Sequence, residues 1–408
     1  MSRPVHVIGA SRSDFKRNLR KEGLALADVI VETGRAALAD ARVEPGDVDA
    51  GVVGNFAAGL YTRQLHLGAL LVGIDGALRG IPTLHTEAAC ASGSIAVLTA
   101  AQWIAAGLHD LVLVVGAEQQ KTMSPAEGSD VLAAAADWQA ERPQYGEHMM
   151  PKMFARIAAA YAARHGLSDG DLAGVVVKNH AHARRNPLAQ RRDAAMTTAM
   201  ALEASEANPR FAPPLKVSDC SQITDGAAAV VLASERFARR GRALALLGWG
   251  HTTDRLRLDD KDVPAFPIVR RAADRAYAMA GVQPGDLDAA EVHDCFSISE
   301  LVAYEALGWA EPGGAAALVA SGATALPQVR AEAGLGERPA RSMPVNTGGG
   351  LIADGHPVGA TGVRQVAEVF AQGCGEAGDR QVEGARTFMT FNMGGSMTTN
   401  VAMIWRAG

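Results

Sequence analysis

Two stretches of this chain follow the same order of elements, with a constant separation in the sequence. Val43 opens the turn Val-Glu-Pro-Gly-Asp, and Val282, 239 positions later, opens Val-Gln-Pro-Gly-Asp. Gly9 and Gly248, which end two apolar segments, are separated by the same 239 positions. A fixed offset across several consecutive elements predicts a duplicated α/β domain. The predicted elements are a strand at 5–9, a helix at 25–41 and a strand at 51–54 in the first copy, and a strand at 244–248, a helix at 268–280 and a strand at 290–293 in the second.

The segment between the two copies predicts a third unit. Residues 119–216 break the repeated pattern and are too many for a loop inside a compact domain. A strand at 226–232 then returns to the first copy. We therefore predict an N-terminal half at 1–118 plus 217–238, an inserted loop subdomain at 119–216 that covers a cleft, and a C-terminal half at 239–408.

Composition restricts the class of function. The 408-residue chain has a net charge of −5 and no block of basic residues, which argues against a nucleic-acid surface. No apolar run approaches the length of a membrane span, and the N-terminus lacks the apolar core of a signal peptide. The four cysteines lie far apart without metal-type spacing. We therefore expect reduced thiols, no metal site and a cytoplasmic location.

The sequence around Cys90 is typical of a nucleophile at the start of a helix. The segment from His85 to Ser94 leads into a helical pattern that ends at Gly107, and the small residues at 91–93 would let a substrate approach closely. The positive end of the helix dipole favours a thiolate over a thiol at Cys90. Cysteine is also common as a small buried residue, so this motif alone leaves both roles open.

Two histidines are candidates for acid–base chemistry. His356 lies in Gly-His-Pro-Val-Gly-Ala-Thr-Gly, ahead of a helical pattern that corresponds to the helix after Cys90. If the two halves face each other, both helix N-termini meet at one cleft and His356 can act as a base for the thiol. His293 and Cys295, in Val-His-Asp-Cys-Phe, can supply a second acid or base. For each motif a purely structural role is the alternative.

Two further segments are candidate binding elements. Gly394 lies in Phe-Asn-Met-Gly-Gly-Ser, a glycine-rich turn predicted after a strand, whose backbone N–H groups can hold an oxyanion. Ser221 ends a polar bend at 216–221, which is either a ligand contact or a surface loop. Neither segment has the glycine pattern of a phosphate loop or of a dinucleotide-binding fold.

Taken together, four motifs resemble the thiolase superfamily in their order along the chain. The duplication and the inserted segment also fit, and the resemblance is nearest to the sterol-carrier-protein-x type, or lipid-transfer-like thiolases. It implies duplicated βαβαβαββ domains in a five-layered α-β-α-β-α arrangement with an inserted loop domain. The motifs are Ala-Cys-Ala-Ser-Gly-Ser at 89–94, His-Asp-Cys-Phe at 293–296, Gly-His-Pro-Val-Gly-Ala-Thr-Gly at 355–362 and Asn-Met-Gly-Gly at 392–395.

The resemblance implies roles for individual residues. Cys90 would be the acylated nucleophile, and His356 would activate it and help to polarise the thioester oxygen. The backbone N–H groups of Cys90 and Gly394 would form one oxyanion hole. His293 would sit where many thiolases have an asparagine that holds a water in a second hole.

One position departs from the better-known thiolases. This chain has Asn392 where they have a second catalytic cysteine, and the sterol-carrier type implies that Cys295 takes over the acid–base role. Ser221 would contact the pantetheine arm of coenzyme A. Arg184 or Arg185, on the inserted domain, would hold the nucleotide end.

These implications predict an acyl-CoA C-acyltransferase, either an acetyl-CoA acetyltransferase or a 3-ketoacyl-CoA thiolase, with acyl-CoA as substrate and no covalently bound cofactor. A decarboxylating ketoacyl-synthase-like enzyme is one alternative, because His293 and His356 could both serve a cysteine. A thiolase-like scaffold with a small zinc-ribbon/OB-fold or aldolase-like partner is the other. A homodimer or homotetramer and a role in lipid metabolism are also implied.

Overall fold

The computed structural model describes residues 3–238 and 242–408. Residues 1–2 and the predicted start of the C-terminal half at 239 lie outside the described residues. The strands are β1 (Val5–Arg12), β2 (Ala50–Gly54), β3 (Thr83–Thr86), β4 (Leu111–Glu118), β5 (Gly226–Ser234), β6 (Leu244–Thr253), β7 (Ala289–Glu291), β8 (Thr387–Gly394) and β9 (Thr399–Ala407). The helices are α1 (Leu26–Ala41), α2 (Ala58–Tyr61), α3 (Ser92–Ala105), α4 (Pro125–Ala133), α5 (Trp138–Tyr145), α6 (Met149–His165), α7 (Asp169–Ala183), α8 (Thr198–Leu202), α9 (Pro267–Ala280), α10 (Ser297–Ala306), α11 (Ala315–Ala320) and α12 (Thr361–Cys374).

The predicted duplication is confirmed in its details. The strands β1 and β6 both bulge at the repeated glycine, Gly9 in one and Gly248 in the other. A side chain on Gly9 would place its Cβ 2.5 Å from the backbone nitrogen of Ala41, at the end of α1. On Gly248 the Cβ would lie 2.6 Å from the backbone nitrogen of Ala280, at the end of α9. The repeated glycine therefore lets the helix end pack directly on the bulged strand in both halves.

All nine described strands form one sheet, in the order β3-β2-β4-β5-β1-β6-β9-β8-β7. The first five strands belong to the N-terminal half and the last four to the C-terminal half. A short antiparallel pairing between β1 and β6 joins the two half-sheets. In the first half, β3 pairs with the outer side of β2. In the second half, the corresponding place beside β7 is taken by a single bridge between Ala290 and Val345.

Three apolar cores separate the layers. One core packs α3 and α12 against the inner faces of both half-sheets. A second core packs α1 on the outer face of the N-terminal half-sheet. A third core packs α9, α10 and α6 on the outer face of the C-terminal half-sheet. The order helix, sheet, two central helices, sheet, helix gives the five layers that the resemblance implies.

Glycines allow the two halves to meet closely. A Cβ on Gly116 in β4 would lie 2.5 Å from the carbonyl oxygen of Gly359, which precedes α12. A Cβ on Gly93 in α3 would lie 2.7 Å from the same oxygen. Backbone therefore packs on backbone here, and this contact brings the N-terminal ends of α3 and α12 to one place.

The helices α4 to α8 all lie between β4 and β5 in the chain. Phe154 in α6 stacks on Phe296, with ring centroids 4.4 Å apart, which connects this segment to the start of α10. None of the described helices is both long and apolar enough to cross a lipid bilayer.

Candidate active site

Cys90 lies in the connection from β3 to α3, two residues before the helix begins. The preceding residue, Ala89, has a φ of +50°, which is uncommon for a residue with a side chain. This strained turn holds Cys90 against a cavity of about 240 Å³, and the residue is only 7% exposed. The cavity is lined mainly by apolar side chains, among them Leu132, Met150, Phe211, Ile223 and Phe296.

Burial has the largest influence on the charge state of Cys90. It raises the pKa of Cys90 to about 12, although backbone hydrogen bonds from Gly395 and from Cys90 itself act in the opposite direction. The prediction of a thiolate from the helix start is therefore wrong for the free site, because it ignores the loss of water around the sulfur. At neutral pH the group is a thiol, and it needs a base beside it to react.

The ring of His356 is oriented so that its Nε2 atom can accept a proton. Its Nδ1 lies 2.7 Å from Oγ1 of Thr361, and this hydroxyl donates to the carbonyl of Pro357 at 3.3 Å. The imidazole must then donate its Nδ1–H to Thr361, which leaves the lone pair on Nε2. Burial lowers the pKa of His356 well below its usual value, and the neighbouring His293 adds to this effect. His356 is therefore neutral and able to accept a proton.

His293 has the same arrangement with a different partner. Its Nδ1 lies 2.7 Å from Oδ1 of Asn392, whose Nδ2 donates to Oγ of Ser94 at 3.1 Å. Nδ1 is therefore the donor, and Nε2 is buried without a hydrogen-bond partner. Burial lowers the pKa of His293 to about 3. Asn392 therefore orients the imidazole of His293. It does so from the position at which the better-known thiolases have a second catalytic cysteine.

The three side chains form one cluster. Sγ of Cys90 and one nitrogen from each of His293 and His356 all lie within 4.8 Å of one another, and all three residues are buried. The two imidazole rings are perpendicular, with centroids 5.1 Å apart. A thiol with two neutral imidazoles at an apolar cavity is suited to covalent catalysis through sulfur.

Comparison with known proteins identifies the family. The model described as "Thiolase, N-terminal domain" matches residues 5–236, and the model described as "Thiolase C-terminal domain-like" matches residues 250–407. The chain belongs to the thiolase family. It is 36% identical over 406 residues to a protein of Methanothermobacter thermautotrophicus named acetyl-CoA acetyltransferase, covering 99% of both chains. It is 31% identical to human sterol carrier protein 2, covering 96% of this chain and 70% of that protein.

Solved structures agree on the thiolase fold. A chain of the Ltp2–ChsH2(DUF35) aldolase superposes with a TM-score of 0.81 at 22% identity, covering 99% of this chain and 98% of that one. Human mitochondrial 3-ketoacyl-CoA thiolase in complex with CoA superposes with a TM-score of 0.69 at 18% identity, covering 100% and 98%.

Cys295 and Ser221 line the same cavity as Cys90 in this thiolase. The backbone N–H of Ser221 donates to the carbonyl of Cys295 at 2.9 Å, so the two segments are held together. Sγ of Cys295 lies 3.8 Å from Oγ of Ser299. Burial raises the pKa of Cys295 well above its usual value, and the nearby Cys90 raises it further.

Arg184 and Arg185 are not brought to this cavity. Both guanidinium groups pair with Glu332, Arg184 at 2.5 Å and Arg185 at 3.1 Å.

Arg191, by contrast, lines a second cavity of about 410 Å³. Within the described ranges no acidic side chain pairs with Arg191, whereas the adjacent Arg192 pairs with Asp14. The residues Val217, Cys220 and Gln222 line both cavities, so the second adjoins the first.

The glycine-rich turn begins later than predicted. The strand β8 continues to Gly394, so Asn392 and Gly394 lie in the sheet and not in a turn. Gly394 has no room for a side chain, because a Cβ would overlap the carbonyl oxygen of Ala88. Gly395, the next residue, lines the cavity, and its backbone N–H acts to lower the pKa of the Cys90 thiol.

Sequence reasoning misses three contributors to the site, namely Gly395, Thr361 and Ser94. Thr361 and Ser94 both lie inside the thiolase-like motifs, so their presence is visible in the sequence. Their contacts are not, because His356 reaches Thr361 only across the turn Val358–Ala360, and Ser94 meets Asn392 from the other half of the chain. The doubled glycine is the available signal for Gly395.

Proposed function

We propose that this thiolase is an acyl-CoA C-acyltransferase, an acetyl-CoA acetyltransferase or 3-ketoacyl-CoA thiolase, that works through an acyl group on Cys90. The observation that carries the proposal is the cluster of a thiol and two neutral imidazoles at the wall of an apolar cavity. The name of the Methanothermobacter relative supports the same activity.

The first chemical step uses Cys90 and His356. In the degradative direction, Sγ of Cys90 attacks the keto carbon of a 3-ketoacyl-CoA while its proton passes to Nε2 of His356. Moving a proton between two neutral partners in an apolar site avoids a free thiolate, whose formation burial makes costly. The carbon–carbon bond then breaks, the acyl group stays on Cys90, and the electron pair leaves on acetyl-CoA.

The second step needs an acid for that carbanion. We assign it to Cys295, because a raised thiol pKa keeps the group protonated at neutral pH. Its proton goes to acetyl-CoA, and the proton of the incoming coenzyme A thiol restores it. That thiol attacks the thioester, and the sulfur of Cys90 leaves and recovers its proton from His356.

Charge that develops on oxygen is stabilised by backbone donors. We assign this role to the N–H groups of Cys90 and Gly395, which both act to lower the pKa of the Cys90 thiol, and Gly394 is one position earlier. One such donor is worth roughly 3 kcal/mol in the transition state. His293, with a bare Nε2, can accept a hydrogen bond from a water that in turn donates to the thioester oxygen.

We assign the pantetheine arm to the wall that carries Ser221, and the anionic nucleotide end to Arg191. Arg184 and Arg185 already share Glu332, so they are less suited to bind phosphate.

Arg191→Met should raise the KM for coenzyme A about tenfold with little change in kcat, since hydrogen bonds to charged groups are worth roughly 1.5–3 kcal/mol. Arg184→Met is the matched control. A larger effect in the control would return the role to Arg184.

A ketoacyl-synthase-like reaction is the second candidate, because the cluster has two histidines beside the cysteine. The two reactions are separated by assaying thiolysis of acetoacetyl-CoA against decarboxylation of a malonyl thioester. Thiolysis without decarboxylation supports the thiolase reaction. Decarboxylation with no thiolysis contradicts it.

We also propose that the chain forms a homodimer through β3. This strand ends the sheet, and within the described part of the chain its outer edge has no partner strand. Leu84 on β3 is 40% exposed. Leu84→Lys should shift the protein from dimer to monomer in sedimentation, because unpaired strand edges favour association. Leu108→Lys, at an exposed position in the loop between α3 and β4, should leave the dimer intact, and a monomeric wild type contradicts the assignment.

A small zinc-ribbon/OB-fold partner is a further candidate for this chain, because the similar Ltp2 chain is paired with ChsH2(DUF35) in the aldolase structure. Co-purification of such a partner, with no thiolysis by the isolated chain, would support a scaffold role. Thiolysis by the isolated chain would contradict it.

A further inference from the structure

The catalytic cluster has the chemistry of a metal site. It offers one sulfur and two ring nitrogens within 4.8 Å of one another. Thiolate and imidazole are the ligands that Zn²⁺ prefers in proteins. With bond lengths of about 2.0–2.3 Å, tetrahedral ligand atoms lie roughly 3.4–3.6 Å apart. Because the three ligand atoms are at most 4.8 Å apart, the side chains would need to close by no more than about 1.4 Å.

The imidazoles are already oriented as metal ligands. A metal-bound histidine usually donates its other ring N–H to a polar group that fixes the ring. Here Nδ1 of His356 bonds to Thr361, and Nδ1 of His293 bonds to Asn392, both at 2.7 Å. The remaining nitrogen of His293 is buried without a partner, a state that normally costs free energy. A bound cation would satisfy this lone pair.

The cavity leaves room for a fourth ligand. Cys90 and His356 both line it, so a cation between the side chains would face the cavity. Three protein ligands with one open position form the pattern of a zinc site that exchanges with solvent or substrate.

We propose that this cleft binds one Zn²⁺ ion through Cys90, His293 and His356, with the fourth position open to the cavity, and that the ion blocks acylation of Cys90. On binding, the S–H bond breaks, a sulfur–zinc bond forms, and one proton is released to solvent. The two nitrogens are already unprotonated and release none. The ion occupies the sulfur lone pair that would attack the acyl carbon, so it acts as a reversible inhibitor.

The test uses the full-length protein, stripped with a chelator, and zinc chloride alone as the probe. Calorimetry should give one Zn²⁺ per chain. Cys90→Ser and His293→Ala should each weaken the affinity by about 100-fold or more, because a structural set of ligands contributes many kcal/mol in total. Cys374→Ser, outside the cavity, should leave the affinity unchanged.

A second measurement needs no variant. In the wild-type chain, saturating zinc should protect Cys90 from alkylation by iodoacetamide, read by mass spectrometry, and a chelator should restore the reaction. Cobalt in place of zinc should show a thiolate-to-metal charge-transfer band that Cys90→Ser lacks. Equal zinc affinity in wild type and Cys90→Ser, or full alkylation at saturating zinc, would overturn the proposal. None of these readouts requires acyl transfer, so they stand apart from the proposed activity.

Discussion

Replacing Cys90 with alanine is expected to remove the acetyl adduct and to lower thiolysis by roughly 10⁴-fold or more, as loss of a covalent nucleophile does in other enzymes. No other thiol shares the cluster with His293 and His356 within the described residues. Mass spectrometry after mixing with acetyl-CoA or acetoacetyl-CoA measures the adduct directly, and a coupled assay measures turnover.

The matched control is Cys374→Ala. Cys374 is the last residue of α12, is only partly buried, and does not line the cavity. Its replacement should leave both the adduct and the turnover unchanged. An acetyl group found on wild-type protein at another residue, or turnover retained by Cys90→Ala, would remove Cys90 from the mechanism.

The fold can be predicted from the sequence because the two copies share packing constraints as well as residue identities. Gly9 and Gly248 recur since a helix end packs on a bulged strand in both halves, and no side chain fits at either position. The repeat does not predict that the counterpart of β3 in the second half is reduced to a single bridge at Val345. A strand that pairs at a single residue leaves too few alternating positions to show a pattern.

The cluster can be predicted in part. Cys90 and His356 are linked through their positions ahead of corresponding helices, and the close glycine packing of the halves explains why they meet. The contribution of Asn392 to the site is beyond prediction, because its contact with His293 crosses from β8 to the end of β7. The same reason hides the zinc-like cluster: its members come from three separate connections, so spacing along the chain carries no signal.

Charge is the least predictable property. The helix start near Cys90 suggests a low thiol pKa, and Arg184 and Arg185 look available for phosphate in the sequence. Burial reverses the first inference, and Glu332 accounts for both arginines. Neither burial nor an ion-pair partner 147 positions away, as Glu332 is from Arg185, can be read from local sequence.

Cys295→Ala is expected to separate the two halves of the reaction. Acetylation of the nucleophile should persist, because Cys90 and His356 are untouched. Condensation and thiolysis should fall by about 10²–10⁴-fold, the usual contribution of a positioned acid or base. The raised thiol pKa of Cys295 suits it to donate to a carbanion, whereas neutral His293 with a bare Nε2 has no proton to give.

Cys220→Ala is the control for that experiment. Cys220 is buried to a similar degree and lines the same cavity, but its sulfur donates to the carbonyl of Lys216 at 3.4 Å. Its replacement can alter KM and should leave kcat nearly unchanged. If Cys295→Ala behaves like Cys220→Ala, Cys295 is structural and is not the acid of this step. Loss of acetylation in Cys295→Ala would instead show that Cys295 supports Cys90.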